Sequence, residues 1–253
     1  MQSAKFIVIA LFVSALIILI ANLYGQSIAV VVGNLLYIPI AGSFVIVAIW
    51  VSLRFGFRGI HGKAWLLFAI FAILWFIAEM IWAYNDLILH IDPYPSIADA
   101  FWLAGYPVLF SFMMMYFKVV RKGVSKKTVT FVSIITLLFL GMIFALSQNT
   151  EGEDDFGLHV LTISYPILDV IILAPAIIGI VLFFKGEVNL LWTFISFGIL
   201  LESVADLGFF VTQFNQTYYT GHPIEIFFYW GYIFYTFGAY SHLKIFRKSE
   251  NKF

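Results

Sequence analysis

The 253-residue chain has no cysteine, so disulfides and thiolate metal sites are excluded. Charge is scarce. Only 11% of residues are Asp, Glu, Lys or Arg, against about 25% in an ordinary soluble domain. No basic face stands free of the apolar stretches, which excludes nucleic acid as a partner. No phosphate-binding loop, serine-nucleophile motif or H-E-x-x-H zinc signature occurs, and an enzyme is not the leading expectation. What the chain has is apolar: 62% hydrophobic residues, 19% aromatic, and a mean hydropathy of +0.99. That leaves too little polar surface to coat a water-soluble fold, and the lipid bilayer becomes the first expected partner.

A helix crossing the hydrocarbon core needs about 20 mostly apolar residues. Eight such stretches are read, at 5–24, 34–53, 64–84, 101–118, 128–147, 160–184, 189–211 and 225–244. The first follows Lys5, as a signal peptide would. Its length, and the absence of a clear small-residue cleavage site, favour a retained helix. The expected fold class is all-α: a polytopic membrane helix bundle of eight transmembrane helices. The fourth stretch carries Gly105 and Pro107, which membrane helices tolerate when neighbours satisfy the freed backbone groups.

On this count all 14 basic residues fall on one side. They are Lys5; Arg54, Arg58 and Lys63; Lys118, Arg121, Lys122, Lys126 and Lys127; Lys185; and Lys244, Arg247, Lys248 and Lys252. The opposite connections hold Asp86, Asp92 and Asp99, then Glu151, Glu153, Asp154 and Asp155, then Glu225. The positive-inside rule therefore predicts a multi-pass cell-membrane protein with both termini cytoplasmic.

The two halves resemble each other at an offset of 126–128 residues. Tyr37 matches Tyr165, Trp65 matches Trp192, and Ala78-Glu79 matches Ala205-Asp206. Asp99 matches Glu225, and Gly105-Tyr106 matches Gly231-Tyr232. The expected organisation is one membrane domain built of two four-helix repeats, 1–127 and 128–253. An even number of spans gives parallel repeats, whose interface is where sites tend to form.

Ionisable residues inside spans face the bundle interior and are functional candidates. Glu79, Asp169, Glu202 and Asp206 are such residues, and Asp99 and Glu225 begin spans four and eight. All six belong to the outer half. Glu202 and Asp206 share a helical face, as do Trp75, Glu79 and Trp82. With Trp102, these residues form the expected ligand-binding set: an acidic, aromatic pocket suited to a cation through charge and cation–π contact. Each has a structural alternative. Ser96 and Asp99 have the spacing of a capping box. Glu79 and Asp206 lie at the far ends of their helices and could be neutral acids bonded to a neighbouring helix. His90, His159 and His222 fall in outer loops and are weak metal candidates at most; neither metal nor other cofactor is expected. Tyr218, Tyr219, Tyr229 and Trp230 suit an interfacial aromatic belt.

The run from Asp92 to Pro107, Asp-Pro-Tyr-Pro-Ser-Ile-Ala-Asp-Ala-Phe-Trp-Leu-Ala-Gly-Tyr-Pro, resembles a P-S-x-A-D-x-x-x-L-x-G-Y-P motif. It is found in multi-span N-terminal membrane sensor regions of some bacterial diguanylate cyclases and phosphodiesterases. Tyr165-Pro166-Ile167-Leu168-Asp169 resembles a second element of those regions. The resemblance implies sensing of a ligand or of membrane state. The catalytic domains that follow such regions are not found in these 253 residues, so signalling would pass to a separate cytoplasmic or membrane partner. Two further readings compete: a small cation- or proton-coupled transporter or channel, and a structural subunit of a membrane complex.

Overall fold

The structure, a computed structural model, describes residues 2–120, 124–148, 156–183 and 189–250. Among these it contains eight α-helices and no strand. They are α1 (Gln2–Leu23), α2 (Gln26–Phe55), α3 (Gly59–Tyr84), α4 (Ile97–Val120), α5 (Lys126–Gln148), α6 (Phe156–Phe183), α7 (Asn189–Phe214) and α8 (Glu225–Glu250). Of the loop charges read above, Arg121, Lys122, Lys185, Lys252 and the run Glu151, Glu153, Asp154 and Asp155 lie outside the described residues.

The chain folds as a helical membrane bundle. Helices α1 to α7 are each long and apolar enough to cross a bilayer. The least buried of them, α1 and α5, present Phe6, Ile9, Phe12, Phe131, Leu137 and Leu138 outward. Apolar exposure on that scale needs lipid to cover it. The exception in composition is α8, whose inward positions are tyrosines. Tyr229, Tyr232 and Tyr235 are at most 1% exposed and lower its hydropathy without facing solvent or lipid. α8 still runs the full length of the bundle, because Tyr229 meets Gly33 of α2, Tyr235 meets Phe44, and His242 meets Phe55 and Trp65.

Several helices run beyond the expected spans, α2 by a full eight residues at its start. Pro39, Pro107, Pro166 and Pro175 all lie inside helices. After Pro107 the Ser111 hydroxyl donates to the Pro107 carbonyl at 2.7 Å, a local bond of the kind that helps satisfy the backbone in a membrane helix. α3 ends in a π-helical turn, Asn85–Leu89, closed by His90 in the left-handed region (φ 52°).

Two layers fill the bundle axis. Toward the end bearing the α2–α3 connection, Phe44, Trp65, Phe68, Phe71, Phe112 and Tyr235 form a continuous aromatic core with ring centroids 4.8–6.5 Å apart. Toward the end bearing the α3–α4 and α7–α8 connections, the axis turns polar.

Candidate functional site

Five helices bring their carboxyls to this polar end. Glu79 arrives near the C-terminus of α3, and Glu202 and Asp206 occupy successive turns of one face of α7. α6 contributes Asp169. Asp99 and Glu225 stand in the first turns of α4 and α8. All six are buried, between 1% and 7% exposed, where an unpaired charge would be costly. Among the described residues no Lys, Arg or His lines the cavity they surround, and the partners are hydroxyls and backbone N–H groups.

Tyrosines supply the hydroxyls. Tyr232 donates to Glu79 Oε1 at 2.6 Å, and Tyr106 donates to Asp206 Oδ2 at 2.9 Å and Asp169 Oδ1 at 3.1 Å. Tyr165 donates to Asp99 Oδ1 at 2.5 Å. Glu225 accepts from Tyr218 at 2.5 Å, from Tyr229 at 3.0 Å and from the Gly221 N–H at 2.8 Å. Asp169 Oδ2 has no hydrogen-bond partner among the described residues. Glu202 alone among the cavity acids accepts neither a tyrosine nor a backbone N–H, and its Oε1 is buried without a partner among the described residues.

The bonds cross between the two halves of the chain reciprocally. Tyr106 in the first half reaches Asp206 in the second, and Tyr232 in the second reaches Glu79 in the first. Two glycines make room one residue earlier in each helix. A Cβ at Gly105 would lie 2.2 Å from Trp75 Nε1, and one at Gly231 would lie 2.2 Å from Glu202 Oε1. Trp75 and Glu202 each sit one turn before the acid of their own helix, Glu79 or Asp206.

The cavity is about 60 Å³, room for a few waters or a very small ligand. Of the nine expected site residues, eight line it: Glu79, Asp99, Glu202, Asp206 and Glu225, with Trp75, Trp82 and Trp102. Asp169 is set behind Tyr106 and does not. Asp99 serves two purposes at once. Its Oδ2 accepts the Ser96 N–H at 2.7 Å, the carboxylate half of a capping box, while its Oδ1 takes the Tyr165 hydroxyl. The Ser96 hydroxyl departs from the box by accepting from Ala98 instead of Asp99.

The aromatic-belt expectation is corrected for Tyr218 and Tyr229. Both hydroxyls point inward to Glu225, and Tyr229 is fully buried. A buried phenol needs a partner, and Glu225 supplies one, from one turn earlier on the same helix for Tyr229 and from the start of the following helix for Tyr218. Trp230 also turns in, donating to the Leu11 carbonyl of α1 at 3.0 Å. The cavity-lining residues that sequence reasoning left out of the site are Tyr37, Tyr94, Tyr106, Tyr165, Tyr218 and Tyr232, with Phe209 and Phe228. Four of them were visible as matched positions of the two halves.

Comparison with protein-family models, curated proteins and solved structures finds no match. The site therefore rests on its own geometry. The Asp92–Pro107 run supplies Tyr94, Asp99, Trp102 and Tyr106 to the cavity wall.

Above the cavity lies an open vestibule of about 790 Å³, lined by Gln26, Asp86, His90, Asp92 and Gln216 among others. Trp82, Tyr94 and Tyr218 belong to both walls and stand where the two spaces adjoin. They are tied in place: Trp82 Nε1 donates to Thr220 Oγ1 at 3.0 Å, and the Tyr94 and Thr162 hydroxyls are 2.6 Å apart. Among the described residues no group of three His, Asp or Glu side chains is arranged to hold a metal ion. His90 borders the vestibule, His159 sits on the first turn of α6, and His222 lies in the α7–α8 connection. Partial burial holds the His222 imidazole below its ordinary range.

Proposed function

We propose that the protein is a ligand-binding membrane module. Two four-helix repeats, 1–127 and 128–253, would meet around the acidic, aromatic cavity, and a separate partner would read their relative packing. The observation that carries this reading is the cavity itself. Eight residues singled out for charge or aromaticity converge on one space between the halves. Five carboxyls buried around one cavity are more than the cross-half bonds of Tyr106 and Tyr232 require. Hydrophobic side chains of similar size would pack the same space at lower cost.

The exchange of Tyr106 and Tyr232 between halves supports the repeat, since each binds the acid that the other's half contributes. It also supplies a mechanism. A ligand that competes for those acids would loosen or re-aim the bonds holding one half on the other, biasing a two-state packing. The charge pattern of the connections supports placing the cavity at the extracytoplasmic end, with both termini and the basic connections in the cytoplasm. A partner on that face completes the signalling proposal, in keeping with the sensor regions that the Asp92–Pro107 run resembles.

Transport is the weaker reading. Below Tyr232 the axis is closed by Phe71, Tyr235, Phe44 and Phe68, which offer an ion no polar path. The test is thermal stability of the detergent-purified protein against a broad set of cations and amines. Saturable stabilisation by one chemical class is expected. A flat response to every class would remove the ligand-binding reading, and uptake by sealed proteoliposomes would restore transport in its place.

A further inference from the structure

Resting on that ligand-binding reading, we propose that the cavity takes the primary-ammonium head of a small organic monocation, with Glu202 as its acceptor. The sign of the ligand follows from the walls, where five carboxyls and no basic side chain face the space. The acceptor follows from elimination among those carboxyls. Glu79, Asp99, Asp206 and Glu225 already accept tyrosine hydroxyls. Glu202 is 98% buried, lines the cavity, and leaves Oε1 without a partner. A buried carboxyl oxygen in that state calls for a donor, and an ammonium carries three.

Gly231 is the feature that keeps this acceptor in place. Any side chain there would displace the Glu202 carboxyl, because a Cβ would come within 2.2 Å of Oε1 and 2.7 Å of Cδ. The rest of the wall suits an organic cation better than a metal ion. Ca²⁺ takes six to eight oxygens and Mg²⁺ a near-ideal octahedron, whereas the described residues gather no metal-holding group. Trp75, Trp102, Phe228 and Tyr232 offer ring faces, which attract ammonium groups. At about 60 Å³ the space admits a head group of a few heavy atoms.

The route in is the vestibule, whose wall holds Asp86 and Asp92 and whose floor is Trp82, Tyr94 and Tyr218. A cation reaching that floor passes from water to a ring-lined, negative interior. Parting the Trp82–Thr220 and Tyr94–Thr162 bonds is the step that admits it.

The experiment titrates the full-length protein in nanodiscs with ethylammonium, ethanol, tetramethylammonium and sodium chloride at constant ionic strength. Intrinsic tryptophan fluorescence and melting temperature are read together. Ethylammonium is expected to give a saturable response. Ethanol has the same shape without charge, tetramethylammonium has charge without an N–H donor, and sodium is a small, strongly hydrated charge with no N–H donor. Each is expected to bind at least about tenfold more weakly, one power of ten being the least that a lost charge-assisted bond should cost. Glu202→Gln, checked for retained helicity, is expected to weaken ethylammonium by a similar factor. Ethanol or sodium matching ethylammonium, or Glu202→Gln binding as wild type, would overturn the assignment. Should that variant not fold, the ethylammonium–ethanol comparison on wild type decides alone. A saturable response to a neutral or metal probe in place of ethylammonium would sink the ammonium assignment and leave the pocket. No response to any probe would sink both.

Discussion

Removing the Tyr232 hydroxyl tests whether the acids hold the two halves together. In Tyr232→Phe the ring and its contacts with Phe44, Tyr37 and Trp75 are kept, so no packing cost is expected. Only the 2.6 Å bond to Glu79 is lost. Stranding a buried acceptor costs about 1–3 kcal/mol in general. Hydrogen bonds between membrane helices average only about 0.6 kcal/mol and reach about 1.7 kcal/mol. Glu79 borders the cavity, where water can replace the lost donor, so the lower scale should win. We expect a loss of about 1 kcal/mol, and a coupling of about 0.6–1.7 kcal/mol in a double-mutant cycle with Glu79→Gln. Tyr106→Phe should cost more, about 2–3 kcal/mol, because one hydroxyl serves two carboxyls and Asp169 lies away from the cavity. Reversible unfolding in mixed detergent micelles, followed by circular dichroism, gives these values. Tyr24→Phe, at a 74% exposed site, is the control. If Tyr106→Phe and Tyr232→Phe were as mild as that control, or if the cycle showed no coupling, the cross-half bonds would carry no weight.

Three further outcomes follow from the same geometry. Gly105→Ala places a Cβ 2.2 Å from Trp75 Nε1, so Trp75 must shift; a loss of about 1–3 kcal/mol and a changed tryptophan emission spectrum are expected. Gly221→Ala should be worse, about 2–5 kcal/mol by the same unfolding assay. It combines φ +83° with a Cβ 2.1 Å from the Ala29 carbonyl oxygen, a backbone atom that cannot rotate away. Because the chain has no native cysteine, single-cysteine labelling in intact cells reads topology cleanly. Arg58→Cys and Lys126→Cys should react only after the inner face is exposed, and Gln216→Cys from outside. Reaction of all three from the same side would break the eight-span topology.

Much of this architecture was written in the hydropathy pattern. Seven of the eight helices carry apolar runs of a length lipid requires, and the acids stood out because so few charges interrupt those runs. Convergence of eight of nine expected residues on one cavity reflects a simple constraint: a carboxyl in an apolar bundle must turn inward. Asp169 was misplaced by one layer, since periodicity gives its face and depth but not the ring of Tyr106 in front of it. The tyrosines were harder to read. An amphipathic phenol near a helix end suits the headgroup region and a buried acid equally well, and the choice depends on whether an acid within reach is itself buried. Tyr218 and Tyr229 went inward because Glu225 is there to receive them. Tyr219 behaves likewise on a half-buried site, bonding Asn22 of α1 at 2.5 Å. Glu202 differs from Asp206 through Gly231, a contact between α7 and α8 that no single-helix pattern contains.

The most direct measurement of the central claim is the distance between the two halves at their far ends, with and without ligand. Spin labels at Arg58→Cys in the first half and at Leu190→Cys in the second, a 55% exposed position at the start of α7, report it in nanodiscs by double electron–electron resonance. With ethylammonium at a concentration that saturates the tryptophan response, the distance distribution is expected to shift toward a second population. A saturated cavity with an unchanged distribution would contradict it, leaving a binding site that moves nothing.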